Sequence, residues 1–262
     1  MISLAVQMYT VREFVRDRNG FLDALQRIAA MGYAGVQLSA IGAMDTDAPE
    51  VGASAAGGVL ADLGLAAVAT HRPWSRLRDE TDREIEFHHA LGCDYAAIGG
   101  LPDDYLREGS AGFRRFIDDA APVIHRLRSA GIRFGYHNHA HEFQRDHAAG
   151  SPPWYETLIA LGGPDFHLEV DVYWAWHAGV DPVDLLARCA GRVPVIHVKD
   201  RAVGANGPEI AAIGEGNLPW GSILPACGTA GVEWLAVEQD TCPRDPFDCL
   251  ASSRRYLADA LA

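Results

Sequence analysis

The sequence contains a single lysine, Lys199, among its 262 residues, and it is poor in cationic side chains overall. Lysine and arginine together number 22 against 35 aspartates and glutamates, so the formal net charge at pH 7 is −13. Binding to nucleic acid or to an anionic membrane surface depends mainly on Lys and Arg neutralising phosphate charge. We therefore expect neither nucleic acid nor a membrane surface as a partner.

Long apolar runs and a targeting pattern are also lacking. The sequence has no stretch of about 18 consecutive apolar residues, which is roughly the length that crosses a bilayer. The opening segment MISLAVQMYTVREF has no basic leader, no long apolar core and no small-residue cleavage site. These absences predict a cytoplasmic protein.

Paired cysteines are absent as well. The five cysteines are odd in number, are scattered along the chain and form no CxxC pair; they are Cys93, Cys189, Cys227, Cys242 and Cys249. This usage predicts reduced thiols and argues against a disulfide framework.

The composition that is present is that of a globular protein, with 48% hydrophobic and 22% charged residues. A chain of 262 residues is long enough for two ordinary domains or for one large α/β barrel. No compositional shift and no Pro/Ser-rich linker divides the sequence. We therefore predict one domain spanning residues 1–262.

Short apolar runs alternate with longer segments of helical periodicity along the whole chain, which is typical of βα units. Eight runs predict strands, at residues 3–10, 35–40, 66–71, 95–100, 133–139, 166–174, 193–200 and 234–240. The amphipathic segments between them include FLDALQRIAAMGY, DREIEFHHALGC, FRRFIDDAAPVIHRLRSAG and PVDLLARCAG, each with glycine near its end as a C-cap signal.

Eight βα units in about 260 residues match a single (β/α)8 TIM barrel, whose strands are buried on both faces. An open doubly wound sheet is the competing topology, but it usually has a glycine-rich phosphate loop after the first strand, and the segment MYTVREF has none. The longest irregular stretch, residues 201–221, falls after the seventh predicted strand. Loops of this length inside a domain are usually functional or mobile.

Chelating and charged residues follow the predicted strands at the end where barrel enzymes place their catalytic groups. They are His71, His137, Asn138, His139, His141, Glu142, Asp171, His197, Lys199, Asp200 and Glu238. Taken singly, each has an ordinary explanation, such as a hydrogen-bonded histidine, a helix cap at Asp171 or a solvated carboxylate at Glu238.

Taken together, these side chains indicate a metal-binding site. Burying several ionisable groups costs several kcal/mol each unless they are paired or held by a cation. Mixed oxygen and nitrogen donors suit Mn²⁺, Mg²⁺, Co²⁺ or Zn²⁺, and the lack of thiolates in the set argues against a structural zinc site.

The segments GYHNHAHEF, LEVDVYW, VIHVKDR, IGEGNLPWGSIL and WLAVEQD resemble the xylose isomerase-like barrel family. The similarity is to the sugar phosphate isomerase/epimerase branch, which also contains inosose dehydratases, and it runs over the whole chain. The resemblance implies a (β/α)8 barrel with one divalent metal, Mn²⁺ by preference, bound by a Glu-Asp-His-Glu set at the mouth. Carried over, the last three ligands are Asp171, His197 and Glu238.

The first ligand departs from the commonest pattern of that family, because this chain has His137 where many relatives have a glutamate. In the branch with the HNHxxEF signature, the implied replacement is Glu142. His137 is left open as a ligand or as a residue behind the ligands. The resemblance implies that Glu142 and Glu238 are the acid and base. His139 or Lys199 is expected as a further proton carrier, and His139 is the histidine best placed to touch substrate.

Further residues are expected to bind substrate: His71, His137, Lys199, Arg201 and Trp174. For Trp174, packing in the core or at the rim is the competing interpretation.

The resemblance implies an isomerase or epimerase acting on a small sugar or cyclitol substrate, by proton transfer through a cis-enediolate stabilised by the metal. The alternative is a dehydratase or lyase, of inosose dehydratase or 3-keto-glycoside lyase type, that eliminates a β-substituent from the same intermediate. A more distant alternative is an apurinic-type endonuclease, against which the charge of −13 argues. A non-catalytic sugar-binding role would leave the chelating set unexplained. Assembly into a homo-oligomer is compatible with the sequence.

Overall fold

The computed structural model describes residues 2–46 and 48–262. Its central feature is a parallel sheet of eight strands in the order β6-β5-β4-β3-β2-β1-β10-β7. These strands are β1 (Ser3–Gln7), β2 (Gly35–Leu38), β3 (Ala66–His71), β4 (Tyr95–Ile98), β5 (Arg133–His137), β6 (Phe166–Glu169), β7 (Val195–Val198) and β10 (Trp234–Val237). An antiparallel hairpin of β8 (Asp200–Gly204) and β9 (Gly207–Ala211) stands apart from this sheet.

The sheet closes on itself at the ends of its order. Strand β1 pairs with both β2 and β10, so the first and last strands of the chain are neighbours. At the remaining seam, a parallel bridge joins Asp171 to His197. The backbone N–H of His197 donates to the carbonyl of Val170 at 2.9 Å. The predicted (β/α)8 barrel is confirmed, and its last seam is closed by two of the predicted metal ligands.

Helices separate the strands along the chain. They are α1 (Arg18–Ala30), α2 (Ala53–Asp62), α3 (Trp74–Asp79), α4 (Thr81–Leu91), α5 (Asp103–Leu106), α6 (Ser110–Ser129), α7 (Tyr155–Leu161), α8 (Val172–His177), α9 (Pro182–Arg188), α10 (Trp220–Ala230) and α11 (Pro246–Ala260). Two short 3₁₀ turns cover Met8–Val11 and His141–Phe143. Within residues 2–46 and 48–262, no helix is both long and apolar enough to cross a membrane.

Local sequence explains where several helices begin. Asp17, Asp181 and Asp245 accept backbone hydrogen bonds at the starts of α1, α9 and α11. The last two of these helices also have proline in their first turn, where its missing N–H is not needed. These local signals favour helix starts at the observed positions.

The predicted strand over residues 166–174 is too long. Strand β6 ends at Glu169, and residues 172–177 form helix α8. The cause is Asp171, whose Oδ1 accepts the backbone N–H of Trp174 at 3.0 Å and caps the helix. This cap outweighs the strand preference of the apolar residues that follow it.

The stretch over residues 201–221 is not irregular throughout, because the hairpin of β8 and β9 occupies its first half. Two residues, Ala205 and Asn206, connect the paired Gly204 and Gly207, and Gly207 has a positive φ of 122°. The remaining loop is anchored by Asp200. Its carboxylate accepts from the backbone N–H groups of four residues and from the indole of Trp220, the four being Arg201, Gly214, Gly216 and Leu218.

The barrel interior below the strand ends is filled by small side chains around Tyr95. The residues of this cluster are Ala5, Val68, Ala69, Tyr95, Ala97, Val195 and Ala236. Gly135 of β5 makes room for the ring, since a Cβ there would lie 2.2 Å from the Tyr95 hydroxyl. Val195 and Ala236 precede His197 and Glu238 by two residues, so the apolar cluster lies one layer beneath those polar side chains.

His88 ties helix α4 to the barrel through a fully buried imidazole. Its Nδ1 donates to the carbonyl of Glu84 at 2.6 Å, so its Nε2, 2.8 Å away, must accept from the hydroxyl of Thr70 on β3. Burial is the main cause that lowers the pKa of His88, and the hydrogen bond to Glu84 opposes it only in part. The folded protein therefore holds this imidazole neutral.

We expect the His88 contribution to stability to be lost on acidification. Its folded pKa lies below the value of about 6.5 for an unfolded chain. The contribution is therefore complete above pH 6.5 and is lost as the pH falls from there through the folded pKa. Urea unfolding between pH 8 and pH 5 should show His88→Gln losing less free energy of unfolding than wild type. The control His125→Gln changes an exposed histidine of α6 and should keep the wild-type slope; a wild-type slope in His88→Gln would contradict the expectation.

Candidate active site and metal centre

Four chelating side chains meet at the carboxyl ends of strands β5, β6, β7 and β10. One ligand atom from each of His137, Asp171, His197 and Glu238 lies within 4.8 Å of the others. All four residues are buried. We call this set the mouth group. Three of the four predicted metal ligands belong to it, namely Asp171, His197 and Glu238.

Asn138 positions one member of the mouth group. Its side-chain oxygen accepts the backbone N–H of Asp171 at 3.0 Å, which ties the end of β5 to the residue after β6. Asn138 is fully buried. The central residue of the HNH segment therefore holds the backbone around the carboxylate in place.

Lys199 lies among the acidic side chains of the site. Its Nζ is 3.0 Å from Asp171 Oδ2, 2.7 Å from Glu238 Oε2 and 2.9 Å from Asp240 Oδ2. Lys199 is fully buried. Burial lowers the pKa of Lys199, but the charges of Asp171, Glu238 and Asp240 outweigh it and raise that pKa above its usual value. The only lysine of the chain is thus a buried ammonium group that neutralises part of the site.

The charges of the mouth group follow from these contacts. Burial raises the pKa of Asp171 to about 6, although Lys199 and His197 oppose it. Burial acts in the same direction on Glu238, but there Lys199 and His197 prevail and lower its pKa. Burial disfavours a charged His197, yet Glu169 and Glu238 raise its pKa to about 10. Without a metal, His197 is therefore an imidazolium whose Nδ1 lies 2.9 Å from Glu238 Oε2.

The donor set fits a divalent cation. Two of its atoms, His137 Nδ1 and Asp171 Oδ2, are buried and make no hydrogen bond within the described residues. Asp171 Oδ2 lies near Lys199 Nζ without meeting hydrogen-bond geometry. Unpartnered polar atoms at this depth are costly unless something binds them. Two nitrogen and two oxygen donors suit Mn²⁺, Co²⁺ or Zn²⁺.

Glu142, the predicted first ligand, lies in a different group with His139 and His141. It is fully buried in the 3₁₀ turn. Its carboxylate accepts the hydroxyl of Tyr136 at 2.9 Å and the backbone N–H of His139 at 2.8 Å, and it lies 3.2 Å from His141 Nε2. His137 is the strand-β5 residue that the structure places in the mouth group. A ligand role for Glu142 stays a prediction.

Glu169 and Gln37 are two site residues that the sequence analysis missed. Glu169 is fully buried on β6, and its Oε2 lies 2.5 Å from His71 Nε2 and 3.2 Å from His197 Nε2. Its Oε1 accepts from Gln37 Nε2 at 2.9 Å. A signal for Glu169 was present in the segment LEVD, because residues two apart on a strand face the same side.

A cavity of about 940 Å³ reaches the mouth group through His71, whose ring centroid lies 5.2 Å from that of His137 and 5.3 Å from that of His197. The four residues of the mouth group do not themselves line it. Its lining includes two predicted site residues, His71 and His139, and also His141 from the histidine-rich segment after β5. The loops after β3 and β4 form its other walls, through residues such as Trp74 and Leu101. Burial is the main cause that lowers the pKa of His139. The hydrogen bond with Glu142 is the main cause that raises the pKa of His141.

The remaining predicted substrate-binding residues lie outside the lining of that cavity. Trp174 contacts the site, because its ring centroid is 5.7 Å from that of His139 and 5.5 Å from Lys199 Nζ. Its indole N–H is buried and has no partner among the described residues. Arg201 lies on β8, and its Nε is likewise buried and unpartnered. Substrate contact by Trp174 and Arg201 stays a prediction.

The sequence model of the xylose isomerase-like TIM barrel family matches residues 25–257. The chain belongs to this family. Inosose dehydratase of Geobacillus kaustophilus is 26% identical over 193 residues, which are 67% of this chain and 60% of that protein. The chain thus matches less than two thirds of the length of that relative.

Solved structures share the fold at lower sequence identity. A sugar phosphate isomerase/epimerase from Parabacteroides distasonis superposes with a TM-score of 0.81 at 21% identity, over 98% of this chain and 94% of that one. An L-ribulose 3-epimerase superposes with a TM-score of 0.72 at 14% identity, over 100% of this chain and 95% of that one. These superpositions show that the shared barrel fold covers nearly the whole chain.

Proposed function

We propose that the protein is a divalent-metal-dependent isomerase or epimerase that moves a proton on a carbon beside the carbonyl of a small keto-sugar or cyclitol. The observation that carries this proposal is the mouth group, a buried set of imidazoles and carboxylates at the end of the barrel where catalytic groups of this fold lie. The buried donors include unpartnered atoms that suit a cation. His71 separates them from the open cavity, which is the side from which a substrate would approach.

His137, Asp171, His197 and Glu238 would hold the ion, with Glu142 as the further candidate from the HNHxxEF signature. When bound, a divalent ion supplies Lewis-acid polarisation of a substrate carbonyl, which acidifies the neighbouring C–H. Mn²⁺ is our first choice, since it accepts mixed nitrogen and oxygen donors.

The side chains of this chain would move the proton. Glu238 is held as a carboxylate by the Lys199 ammonium and by His197, so it is available to accept a proton from carbon. His139 lines the cavity with a buried, unpartnered Nδ1, which suits it to exchange a proton with a substrate oxygen or carbon. Proton transfer by positioned groups of this kind contributes about 10²–10⁴-fold to rate.

The lining of the cavity favours an uncharged substrate. Two arginines, Arg72 and Arg78, are among the described residues that line the cavity. Each is already paired with a carboxylate. Arg72 makes two hydrogen bonds to Glu84, and Arg78 makes two to Asp79. No free guanidinium is left in that lining for a phosphate. A free sugar, a cyclitol or a glycoside fits this cavity better than a sugar phosphate does.

A dehydratase or lyase is the second candidate. Elimination needs an acid for the leaving group in addition to the base at carbon. His139 and His141 both line the cavity and would supply such an acid. The similarity to an inosose dehydratase points the same way. The endonuclease alternative has no support from the charge of −13.

The two candidates differ in what they do to a substrate in D₂O. Keto-sugars and inososes incubated with Mn²⁺-loaded protein should incorporate deuterium at one carbon, as read by NMR. Retention of all substituents would identify an isomerase or epimerase, and loss of a hydroxyl or glycosyl group would identify a dehydratase or lyase. Neither exchange nor elimination with any keto-sugar, cyclitol or glycoside would contradict the proposed function.

We expect two histidine variants to separate proton transfer from metal binding. His139→Ala should lower turnover strongly and keep metal content near wild type, because its side chain lines the cavity and is not in the mouth group. His137→Ala should mainly loosen the metal, by at least the roughly 10–100-fold typical of losing a residue that supports a metal ligand. Metal content and pH-rate curves of both variants test this expectation. Loss of metal in the first variant with full retention in the second would reverse the assignment.

A further inference from the structure

Glu169 is a fully buried carboxylate that contacts two imidazoles and one amide. His71 Nε2 lies 2.5 Å from its Oε2, and His197 Nε2 lies 3.2 Å from the same oxygen. Gln37 Nε2 donates to the other oxygen, Oε1, at 2.9 Å. His137 Nδ1 is farther away, at 3.7 Å from Oε2. No step of the proposed reaction uses this carboxylate, although it lies directly behind His197.

Hydrogen-bond donors and acceptors fix the orientation of Gln37. An ionised carboxylate is only an acceptor, so the group that Gln37 turns toward Glu169 must be its NH₂. The reversed amide would place two oxygen acceptors 2.9 Å apart. The side-chain oxygen of Gln37 therefore faces His197 Nε2, also at 2.9 Å.

The orientation of Gln37 in turn fixes a proton on His197. Both neighbours of its Nε2, Gln37 Oε1 and Glu169 Oε2, are acceptors. Nε2 must therefore carry a hydrogen, whether the ring is neutral or charged. A neutral imidazole has only one N–H, so its lone pair then lies on Nδ1. Nδ1 is the atom that lies 2.9 Å from Glu238 Oε2 in the mouth group.

We infer that Glu169 and Gln37 are positioning residues that hold His197 in the tautomer whose Nδ1 is free to bind the metal. The inference rests on the proposed function, because it assumes that the mouth group binds a cation. Histidines that bind metals commonly donate their other N–H to a carboxylate or carbonyl, which fixes the ring and strengthens the ligand. Here Glu169 acts both directly and through Gln37, and it also holds His71 at the edge of the cavity.

Glu169 also belongs to a second set of donors that could hold a metal, with His71, His137 and His197. Its two oxygens already contact His71, His197 and Gln37, which favours the positioning role. Burying a carboxylate costs several kcal/mol unless hydrogen bonds compensate it, and an apolar residue at this position would avoid that cost. The layer beneath is already apolar, around Tyr95 and Ala236. A polar residue one layer higher is thus explained by what it does to the imidazoles above the core.

The direct test is the protonation state of His197 in the metal-bound protein. Wild-type protein labelled with ¹⁵N at histidine is loaded with Zn²⁺, which is diamagnetic, and its imidazole nitrogens are observed by long-range ¹H–¹⁵N NMR. The His197 signals are assigned by their loss in His197→Ala. We expect Nε2 to carry the hydrogen and Nδ1 to show the shift of a metal-bound nitrogen. A hydrogen on Nδ1 with a metal-bound Nε2 would overturn the inference and leave the proposed function standing.

Metal affinity provides the second measurement. Competition with a chelator should show Zn²⁺ bound about 10–100-fold more weakly by Glu169→Gln and by Gln37→Leu. Because both residues act through the same ring, the double variant should lose less than the sum of the two single effects. Gln37→Leu keeps the test informative if Glu169→Gln fails to fold. Affinities within about twofold of wild type in the folded variants would refute the role.

A matched control separates this role from general damage to a buried carboxylate. Glu84→Gln removes another buried carboxylate, which is paired with Arg72 and is not among the candidate metal donors. It should lower thermal stability and keep Zn²⁺ affinity. Two zinc ions in wild type, one of them lost in Glu169→Gln, would make Glu169 a ligand and overturn the positioning role. No Zn²⁺ binding by wild type would remove the proposed metal site itself, together with this inference.

Discussion

Asp171→Asn should lower metal affinity and turnover together, each by at least about 100-fold, while the barrel remains folded. Loss of a residue that only supports a metal ligand lowers metal affinity or activity by about 10–100-fold. Loss of a carboxylate that binds the metal directly should lower both by more than that. The substitution exchanges Oδ2, which faces Lys199 at 3.0 Å, for an NH₂ group that repels the ammonium. The fold should survive because the stability of such barrels lies in their apolar layers.

The same residue caps helix α8, and the choice of substitution separates its two roles. Asparagine can keep the acceptor Oδ1 that binds the Trp174 backbone N–H. Asp171→Ala removes this cap as well and should cost about 1 kcal/mol more in free energy of unfolding. The control Asp181→Asn alters an aspartate outside the site that caps α9 by accepting the backbone N–H of Val183. Metal titration, steady-state kinetics and urea unfolding should show a loss of metal and turnover only at position 171. Full activity in metal-stripped wild type would contradict the premise.

The order of strands was predictable from the sequence, whereas the ends of most strands were not. Only the third predicted strand ends where the observed one does, and the predicted first strand, 3–10, ends at Gln7 because a 3₁₀ turn begins at Met8. Buried parallel strands leave near-continuous apolar runs, and each of the eight predicted runs begins within two residues of an observed strand. The run over 166–174 failed because its single aspartate, Asp171, acts as a helix cap inside an apolar segment. A helix cap and a strand-end ligand look the same in sequence, and here one side chain is both.

The side chains that meet at the mouth were partly predictable for the same reason. Asp171 and Glu238 lie within two residues of the ends of β6 and β10, and His197 is the third residue of β7, so the barrel brings them together. Glu142 follows β5 by five residues, and its position depends on the 3₁₀ turn and on the donors Tyr136 and His139. Those contacts decide where the carboxylate points, and no pattern in the sequence encodes them.

Glu169 and Gln37 illustrate a different limit of prediction from sequence. Gln37 is the polar residue of the short apolar strand β2, Glu169 is the last residue of β6, and they are 132 positions apart in the chain. Their hydrogen bond exists because closure of the barrel places the interior faces of β2 and β6 opposite each other. Such a contact across the interior requires the register of every intervening strand, which periodicity alone does not supply.

Lys199→Met should destabilise the metal-free protein strongly and increase the stabilisation that a metal provides. In wild type, the Lys199 ammonium is within 3.0 Å of carboxylate oxygens of Asp171, Glu238 and Asp240. Methionine keeps an unbranched apolar chain but removes the charge. Removing one partner of a buried ion pair typically costs about 3–5 kcal/mol, because the remaining charges lose their compensation.

A divalent ion at the mouth group should replace part of that lost charge. In wild type the ammonium repels a nearby dication, whereas in Lys199→Met the same carboxylates have no other strong cation beside them except His197. The free energy of unfolding, measured in urea with EDTA and again with saturating Mn²⁺, should therefore rise more on metal addition in the variant than in wild type. The quantity compared is the difference in free energy of unfolding between the two conditions. A loss of stability that the substitution causes equally in both conditions therefore cancels.

Arg72→Met provides the matched control for this experiment. Arg72 is also a buried cation, and it forms two hydrogen bonds with the buried carboxylate of Glu84. Its loss should destabilise the protein in EDTA by a comparable mechanism, but Mn²⁺ should then add only the wild-type increment, because Glu84 is not among the metal donors. An increment in Lys199→Met that equals or falls below that of wild type would show that the metal and the ammonium do not act on the same carboxylates.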